Sequence, residues 1–316
     1  MSKSPKLSIL IPTYNREKYI SQAIDSVLNQ PFDDFEIICS DNASIDKTYE
    51  ILKKYSEKDR RIKVFQNKEN LGPVLNWKNC LDNASGEYIH WLWSDDWIES
   101  NFYQDAFDIM DKDSTSALST WNYRSDNPLD TNDKYISWQF SFPKVPSKIA
   151  AKKVLMATRE LPVSPAAYIL PRGLVKENFY LNIPKLSDKL DPVNKGVGVD
   201  SLMIIGTCMQ LDGLSILQKP SVIFRKHDNL STQLGKDGSL GKMYFISHLW
   251  FLSNNNVKLS FKEVFKVYYR TLRTLRENIF SPKVLKILMI LTFRIIRNIG
   301  KYKDEEHYDS NKAVFK

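Results

Sequence analysis

The stretch that most constrains this chain is Tyr88-Ile89-His90-Trp91-Leu92-Trp93-Ser94-Asp95-Asp96-Trp97, where strand-forming residues run straight into two carboxylates. β-Branched and aromatic side chains suit a pleated surface packed on both faces, so the first half predicts a buried strand. Asp95 and Asp96 cannot share that burial unpaired, because desolvating each ionised group costs on the order of several kcal/mol. The strand must deliver them to the carboxyl edge of a sheet, where open α/β folds bind ligands. Mg²⁺ or Mn²⁺ is the natural partner there, since hard cations take oxygen ligands and bridge protein carboxylates to phosphates. The same pair could instead turn the chain and cap a helix near Phe102.

The residues upstream tip that balance. Lys6 to Ile11 predicts a strand, followed by Pro12-Thr13-Tyr14-Asn15 and a helix with Tyr19, Ile20, Ala23, Ile24, Val27 and Leu28 on one face. Phe35 to Cys39 predicts the next strand, leading through Ser40-Asp41-Asn42-Ala43-Ser44-Ile45-Asp46-Lys47-Thr48 into a helix over Ile51, Leu52 and Tyr55. A third strand is expected at Ile62 to Phe65 and a third helix around Val74 to Leu81. Strands alternating with helices at this spacing give an α/β fold: a mostly parallel sheet with helices on both faces. Thr13, Tyr14, Asp41 and Asp95-Asp96 then share one rim. They offer what a nucleotide site needs, namely an aromatic face for the base, a carboxylate for base or ribose, and a metal for phosphate. No Gly-x-Gly-x-x-Gly or Gly-x-x-x-x-Gly-Lys is present to cradle phosphates instead.

Charge locates a second feature. The chain of 316 residues carries 45 basic and 37 acidic side chains, yet Lys258 to Lys303 alone holds twelve Lys or Arg against Glu263 and Glu277, leaving 33 and 35 elsewhere. A cation surplus confined to one segment argues against a nucleic-acid-binding fold. Cys39, Cys80 and Cys208 lack metal-ligand spacing and are expected as reduced, buried thiols of a cytosolic protein. Leu7 to Ile11 is too short for a signal-peptide core, and no run reaches the roughly 18 apolar residues of a membrane span.

The order and spacing of Ile11-Pro12-Thr13-Tyr14-Asn15, Ser40 to Thr48, Asn70-Leu71-Gly72 with Lys78-Asn79, Ala84-Ser85-Gly86-Glu87-Tyr88-Ile89 and Ser94-Asp95-Asp96 resemble the family-two glycosyltransferases, an inverting group with the GT-A fold. The likeness is close from Lys6 to about Ile109 and loose to about Thr232. It implies that Tyr14 stacks on the base, that Asp41 bonds its edge or the ribose, and that Thr13 and Lys78 belong to the nucleotide-sugar site. Asp95 would contact the ribose or the outer coordination sphere, and Asp96 the divalent cation. Where the family often carries another Asp, this chain has Trp93. The Val222 to Ser231 stretch is similar to a family strand followed by Arg, His and Ser, which would turn Arg225 and His227 toward the diphosphate. Asp200, before the apolar helix Leu202 to Met209, is the expected base, although Val199 replaces the first member of the family's acidic pair. As a residue it also suits a helix N-cap, and Asp188 and Asp191 are alternatives.

The expected activity is inverting transfer of a sugar from a nucleoside diphosphate sugar, with uridine the favoured base, to a glycan or lipid-linked acceptor in bacterial surface polysaccharide synthesis. A metal-dependent nucleotidyltransferase and a non-catalytic nucleotide-sugar scaffold are the competing readings. The organisation expected is a GT-A domain over 1–241, split near 112/113 into nucleotide-sugar and acceptor halves, then basic amphipathic helices over 242–303 and a polar tail over 304–316. Strands are also expected at Ala117 to Thr120, Tyr135 to Phe140 and Ala166 to Leu170, a helix after Gly173, and a mobile loop over the site at Leu186 to Gly198.

In the C-terminal segment, Phe261, Val264, Phe265, Tyr268, Leu272, Leu275 and Ile279 recur at helical spacing, with Lys262, Lys266, Arg270 and Arg273 opposite. A second helix after Ser281-Pro282 gathers Lys283, Lys286, Arg294, Arg297 and Lys301 into one stripe. Such helices lie on an anionic membrane surface or pack on the catalytic domain or a second copy. The placement expected is cytoplasmic, peripheral at the inner face of the cell membrane.

Overall fold

The computed structural model describes residues 4–113, 116–125, 144–156, 161–226, 230–255, 257, 259–277, 289 and 293. The first third alternates as its hydrophobic pattern requires: β1 (Leu7–Thr13), α1 (Ile20–Leu28), β2 (Phe35–Asp41), α2 (Thr48–Lys58), β3 (Ile62–Gln66), α3 (Pro73–Asn83) and β4 (Tyr88–Trp91). Then come β5 (Trp97–Ile98), α4 (Phe102–Asp113), β6 (Ser116–Ser125), β7 (Lys144–Pro146), α5 (Ser147–Leu155), β8 (Tyr168–Pro171) and α6 (Arg172–Glu177). The last described elements are α7 (Pro192–Lys195), α8 (Val199–Cys208), β9 (Gly213–Lys226), α9 (Leu230–Lys236), α10 (Ser239–Asn254) and α11 (Phe261–Glu277).

One sheet runs in the order β3-β2-β1-β4-β8-β6-β9-β5, with β7 paired to β9. The β3-β2-β1-β4 half is parallel throughout, and β6 also runs parallel to β9. Antiparallel pairing enters with β8, β5 and β7. Every residue of β1 and β2 is buried, and the two-residue period of a strand sorts them onto two faces. Leu10, Ile38, Ile89 and Trp91 join a core with α3, α5, α8 and α10. Leu7, Ile9, Ile11, Ile37 and Cys39 join the core beneath α1, α2 and α4. Helices therefore cover both faces. All three cysteines are free and buried.

Some expectations are corrected. The strand expected over Ala166 to Leu170 begins only at Tyr168, because Pro165–Ala167 forms a 3₁₀ turn capped by Ser164. The loop expected over Leu186 to Gly198 contains α7, capped by the Asp191 side chain, which accepts from Asn194 N–H at 3.1 Å. The boundary expected at 241/242 falls inside α10, whose Phe245, Leu249, Phe251 and Leu252 are part of the core. The strand at Tyr135 to Phe140 and most of the second basic helix lie outside the described residues.

α11 starts from a capping box, with Ser260 N–H donating to Glu263 Oε2 at 2.7 Å and Glu263 N–H to Ser260 Oγ at 3.3 Å. Its orientation corrects the expected one. Arg270 turns inward, its guanidinium 5.0 Å from the Phe245 ring centroid, while Phe265 and Tyr269, each 61% exposed, and Tyr268 face outward beside exposed Lys262, Lys266 and Arg273. Arg270 can turn in because its aliphatic stem packs on apolar surface while its head stacks on a ring and donates to the Met156 carbonyl. Among the described residues no helix is long and apolar enough to cross a membrane.

Candidate active site

The carboxyl ends of β1, β2 and β4 open on one cleft of about 590 Å³. Two loops form its floor, and hydrogen bonds between them explain their polar sequences. Asn15 N–H donates to Ser44 Oγ at 2.9 Å, Ile45 N–H to Asn15 Oδ1 at 3.0 Å, and Arg16 N–H to Thr48 Oγ1 at 2.7 Å. Asn15 and Ala43 take left-handed backbone conformations, with φ of 53° and 58°, where the loops turn. Asn76 ties α3 to the same edge by donating to the carbonyls of Ser40 at 3.0 Å and Thr13 at 3.3 Å.

Thr13 and Tyr14 line this cleft. Thr13 is buried and its Oγ1 has no partner among the described residues, whereas Tyr14 is 39% exposed and free to meet a planar ligand. Asp41 is placed differently from what the resemblance implies. It is wholly buried and accepts from Ser44 N–H at 3.1 Å and Gln66 Nε2 at 3.2 Å, and its neighbour Asn42 lines the cleft in its stead. Lys78 is also outside the lining, on the flank of α3 in an i,i+4 pair with Asp82. His227 lies outside the described residues.

Asp95 lines the cleft and pairs with Arg16 Nε at 3.3 Å. Asp96 is 2% exposed, and its Oδ1 accepts from the Arg225 backbone N–H at 2.9 Å, leaving Oδ2 without a hydrogen-bond partner among the described residues. Burial, and then the Asp95 charge, push the Asp96 carboxyl well above the usual range against the pull of Arg225 and Arg16. A buried carboxylate oxygen lacking a partner, beside a second carboxylate on the cleft wall, fits a hard divalent cation. No group of three or more His, Cys, Asp or Glu forms a metal cage among the described residues, so a cation here would draw its other ligands from phosphates and water. Arg225 braces this turn rather than lining the cleft. Its Nε donates to the Asp95 carbonyl at 2.7 Å, Nη2 donates to Gln22, and its guanidinium lies 4.8 Å from Tyr19 and 4.6 Å from Trp97.

Asp200 lines the same cleft at the start of α8. Its Oδ1 accepts from Gly198 N–H at 2.9 Å and its Oδ2 from Tyr244 Oη at 2.7 Å. Burial raises its pKa to about 6 even though Tyr244 and nearby backbone N–H groups favour the anion. Asp188 is a solvent-exposed partner of Lys185, and Asp191 is occupied in capping α7. Of the three, only Asp200 lines the cleft.

Several lining residues were not anticipated: Arg16, Asn42, Asn76, Lys195, Tyr244 and the Trp77-Trp93 pair, whose ring centroids are 5.1 Å apart. Trp93 Nε1 also donates to Ser164 Oγ at 3.0 Å, so this indole forms a wall of the cleft. The density of Asn across residues 67–83 was the available signal for the network behind the cleft.

Residues 8–160 match the model of glycosyl transferase family 2. An uncharacterized glycosyltransferase of Haemophilus influenzae is 39% identical over 106 residues, covering 34% of this chain and 42% of that protein. The GalNAc(5)-diNAcBac-PP-undecaprenol β-1,3-glucosyltransferase of Campylobacter jejuni is 45% identical over 93 residues, covering 29% and 30%. The chain thus spans less than half the length of these curated relatives. The crystal structure of S. aureus TarS 1–349 in complex with UDP-GlcNAc superposes with a TM-score of 0.59 at 21% identity, covering 93% of this chain and 89% of that one, a likeness of fold. Residues 8–160 of this chain thus match glycosyl transferase family 2, and its fold is the GT-A fold of TarS 1–349.

Proposed function

We propose that the protein is an inverting glycosyltransferase that moves a sugar from a uridine diphosphate sugar to a hydroxyl of a glycan or lipid-linked acceptor in bacterial surface polysaccharide synthesis. The observation that carries this reading is the meeting on one cleft of Tyr14, Asp95 and the buried acid Asp200. Complexes of TarS 1–349 with UDP and with UDP-GlcNAc support the choice of donor. The relatives from Campylobacter and Staphylococcus, named as an undecaprenol-linked glucosyltransferase and a poly(ribitol-phosphate) N-acetylglucosaminyltransferase, support the acceptor class.

In this reading Tyr14 stacks on the base, and Asn42 offers a polar contact beside it. Asp96 and Asp95 would hold a divalent cation, which when bound supplies positive charge to the departing diphosphate. Asp200 takes the proton of the acceptor hydroxyl as that oxygen forms its bond to the anomeric carbon. The bond from that carbon to the donor phosphate oxygen breaks, and its electron pair leaves with the diphosphate. A single displacement inverts the centre. Arg225 acts by holding the Asp95-Asp96 turn in place. The apolar wall of Trp77 and Trp93 excludes water that would otherwise compete with the acceptor.

The outward aromatics of α11, flanked by Lys262, Lys266 and Arg273, suit attachment to an anionic membrane surface, where a lipid-linked acceptor resides. Purified protein incubated with a panel of nucleotide sugars, with Mn²⁺ or Mg²⁺ and undecaprenyl-diphosphate glycans, tests the activity. Nucleotide release dependent on one donor and on acceptor supports transfer. No release from any donor overturns it.

A further inference from the structure

α10 turns one edge toward the start of α8. Tyr244 bonds Asp200, and one turn later His248 Nε2 lies 2.9 Å from Ser201 Oγ. The same serine is 2.9 Å from the Gly198 carbonyl. The first turn of α8 is thus held by two successive side chains of a helix that begins 39 residues after Asp200. Capping a helix needs one carboxylate oxygen, and the Gly198 N–H already occupies Oδ1. The bond from Tyr244 to Oδ2 exceeds that need and fixes the plane of the carboxyl group.

We propose that Tyr244 is the positioning residue of the base, holding the Asp200 carboxylate in place and in its anionic form. The proposal rests on Asp200 being the base. A hydroxyl that donates to a carboxylate stabilises the anion over the acid, so it opposes the upward push of burial. Burial and the Asp200 charge raise the Tyr244 phenol well above its ordinary value, which keeps Tyr244 the donor across the working range.

Among the described residues, the other charged or titratable groups on this cleft are Lys195 of α7, Tyr14, and the Arg16-Asp95 pair, with Asp191 capping α7 nearby. From α10 comes His248, pushed down to about 3 by burial and then by the Arg270 charge, hence neutral. All of these are unchanged when the Tyr244 hydroxyl alone is removed.

The test is the pH dependence of kcat/KM for the full chain, Tyr244→Phe and Asp200→Asn, using the donor selected by the nucleotide-sugar panel. UDP titration of each variant reports the integrity of the donor site. The native acid limb is expected near pH 6. In Tyr244→Phe it should rise by about one pH unit, lowering kcat/KM about fivefold at pH 6, with UDP affinity unchanged. Replacing Tyr244 by 3-fluorotyrosine keeps the shape, strengthens the donor and should move the limb the other way, which preserves the test if the Phe variant folds poorly. A limb that stays in place in the folded variants, while Asp200→Asn is inactive, overturns the role of Tyr244 and leaves the base intact. Near-native turnover by Asp200→Asn overturns the base and this inference together.

Discussion

Asp200 occupies a position that is costly for the fold. Its folded pKa, about 6, lies above the value near 4 of an exposed aspartate, so the unfolded chain releases this proton more readily than the native one. Stability from this group is therefore fully present below about pH 4 and lost as pH rises through 6, by on the order of 2–3 kcal/mol. Asp200→Asn should raise the thermal midpoint at pH 7.5, and the gain should disappear below about pH 4; calorimetry at the two pH values checks this. Activity has the opposite dependence, since only the carboxylate can accept a proton. Glu36 contrasts with it. This buried strand residue meets Lys63 at 2.6 Å, Ser8 at 2.6 Å and Ser85 N–H at 2.7 Å, and these bonds outweigh burial to hold its pKa below the usual range. Glu36→Ala should destabilise by about 2–4 kcal/mol in denaturant melts, because it strips partners from buried hydroxyl and N–H groups. Asp96→Ala should abolish transfer without unfolding the chain, and EDTA should mimic it; full activity in EDTA would remove the cation from the mechanism.

The elements show what a sequence can and cannot disclose. β1 to β4 and the helices between them were legible because their apolar residues repeat at strand and helix periods. Asp41 shows the limit, since an acid at a strand end serves a ligand and its own loop equally well, and its bonds with Ser44 and Gln66 are visible only in three dimensions. Arg225 is a similar case: its cation stacks between Tyr19 and Trp97, partners remote in sequence. Tyr244 left no local signal, since its meaning depends on a residue 44 positions away. The link between α7 and α8 is held by Gly198, whose φ of 90° and closeness to the Ser247 side chain exclude a Cβ. Gly198→Ala should cost about 2–4 kcal/mol and reduce kcat more than donor affinity, since it displaces the N–H that orients Asp200. Equal loss in both would place the defect in the donor half.

At the scale of the whole molecule, the nucleotide-sugar and acceptor segments share one sheet and one core, and both contribute residues to the cleft. The family match covers residues 8–160, so Asp200 and Tyr244 come from beyond it. α11 extends from this body with Phe265, Tyr268 and Tyr269 facing outward. If that face meets lipid, Phe265→Ser with Tyr269→Ser should lose sedimentation with anionic vesicles at moderate salt while retaining UDP binding. Unchanged sedimentation would assign these aromatics to another surface.

The most direct measurement is turnover of the selected nucleotide sugar by Asp200→Asn, set beside its UDP dissociation constant. Loss of a general base should lower kcat by about 10²- to 10⁴-fold with donor binding within about threefold of native. Near-native turnover by a variant that binds UDP normally would contradict the assignment of Asp200 as the base in the proposed transfer.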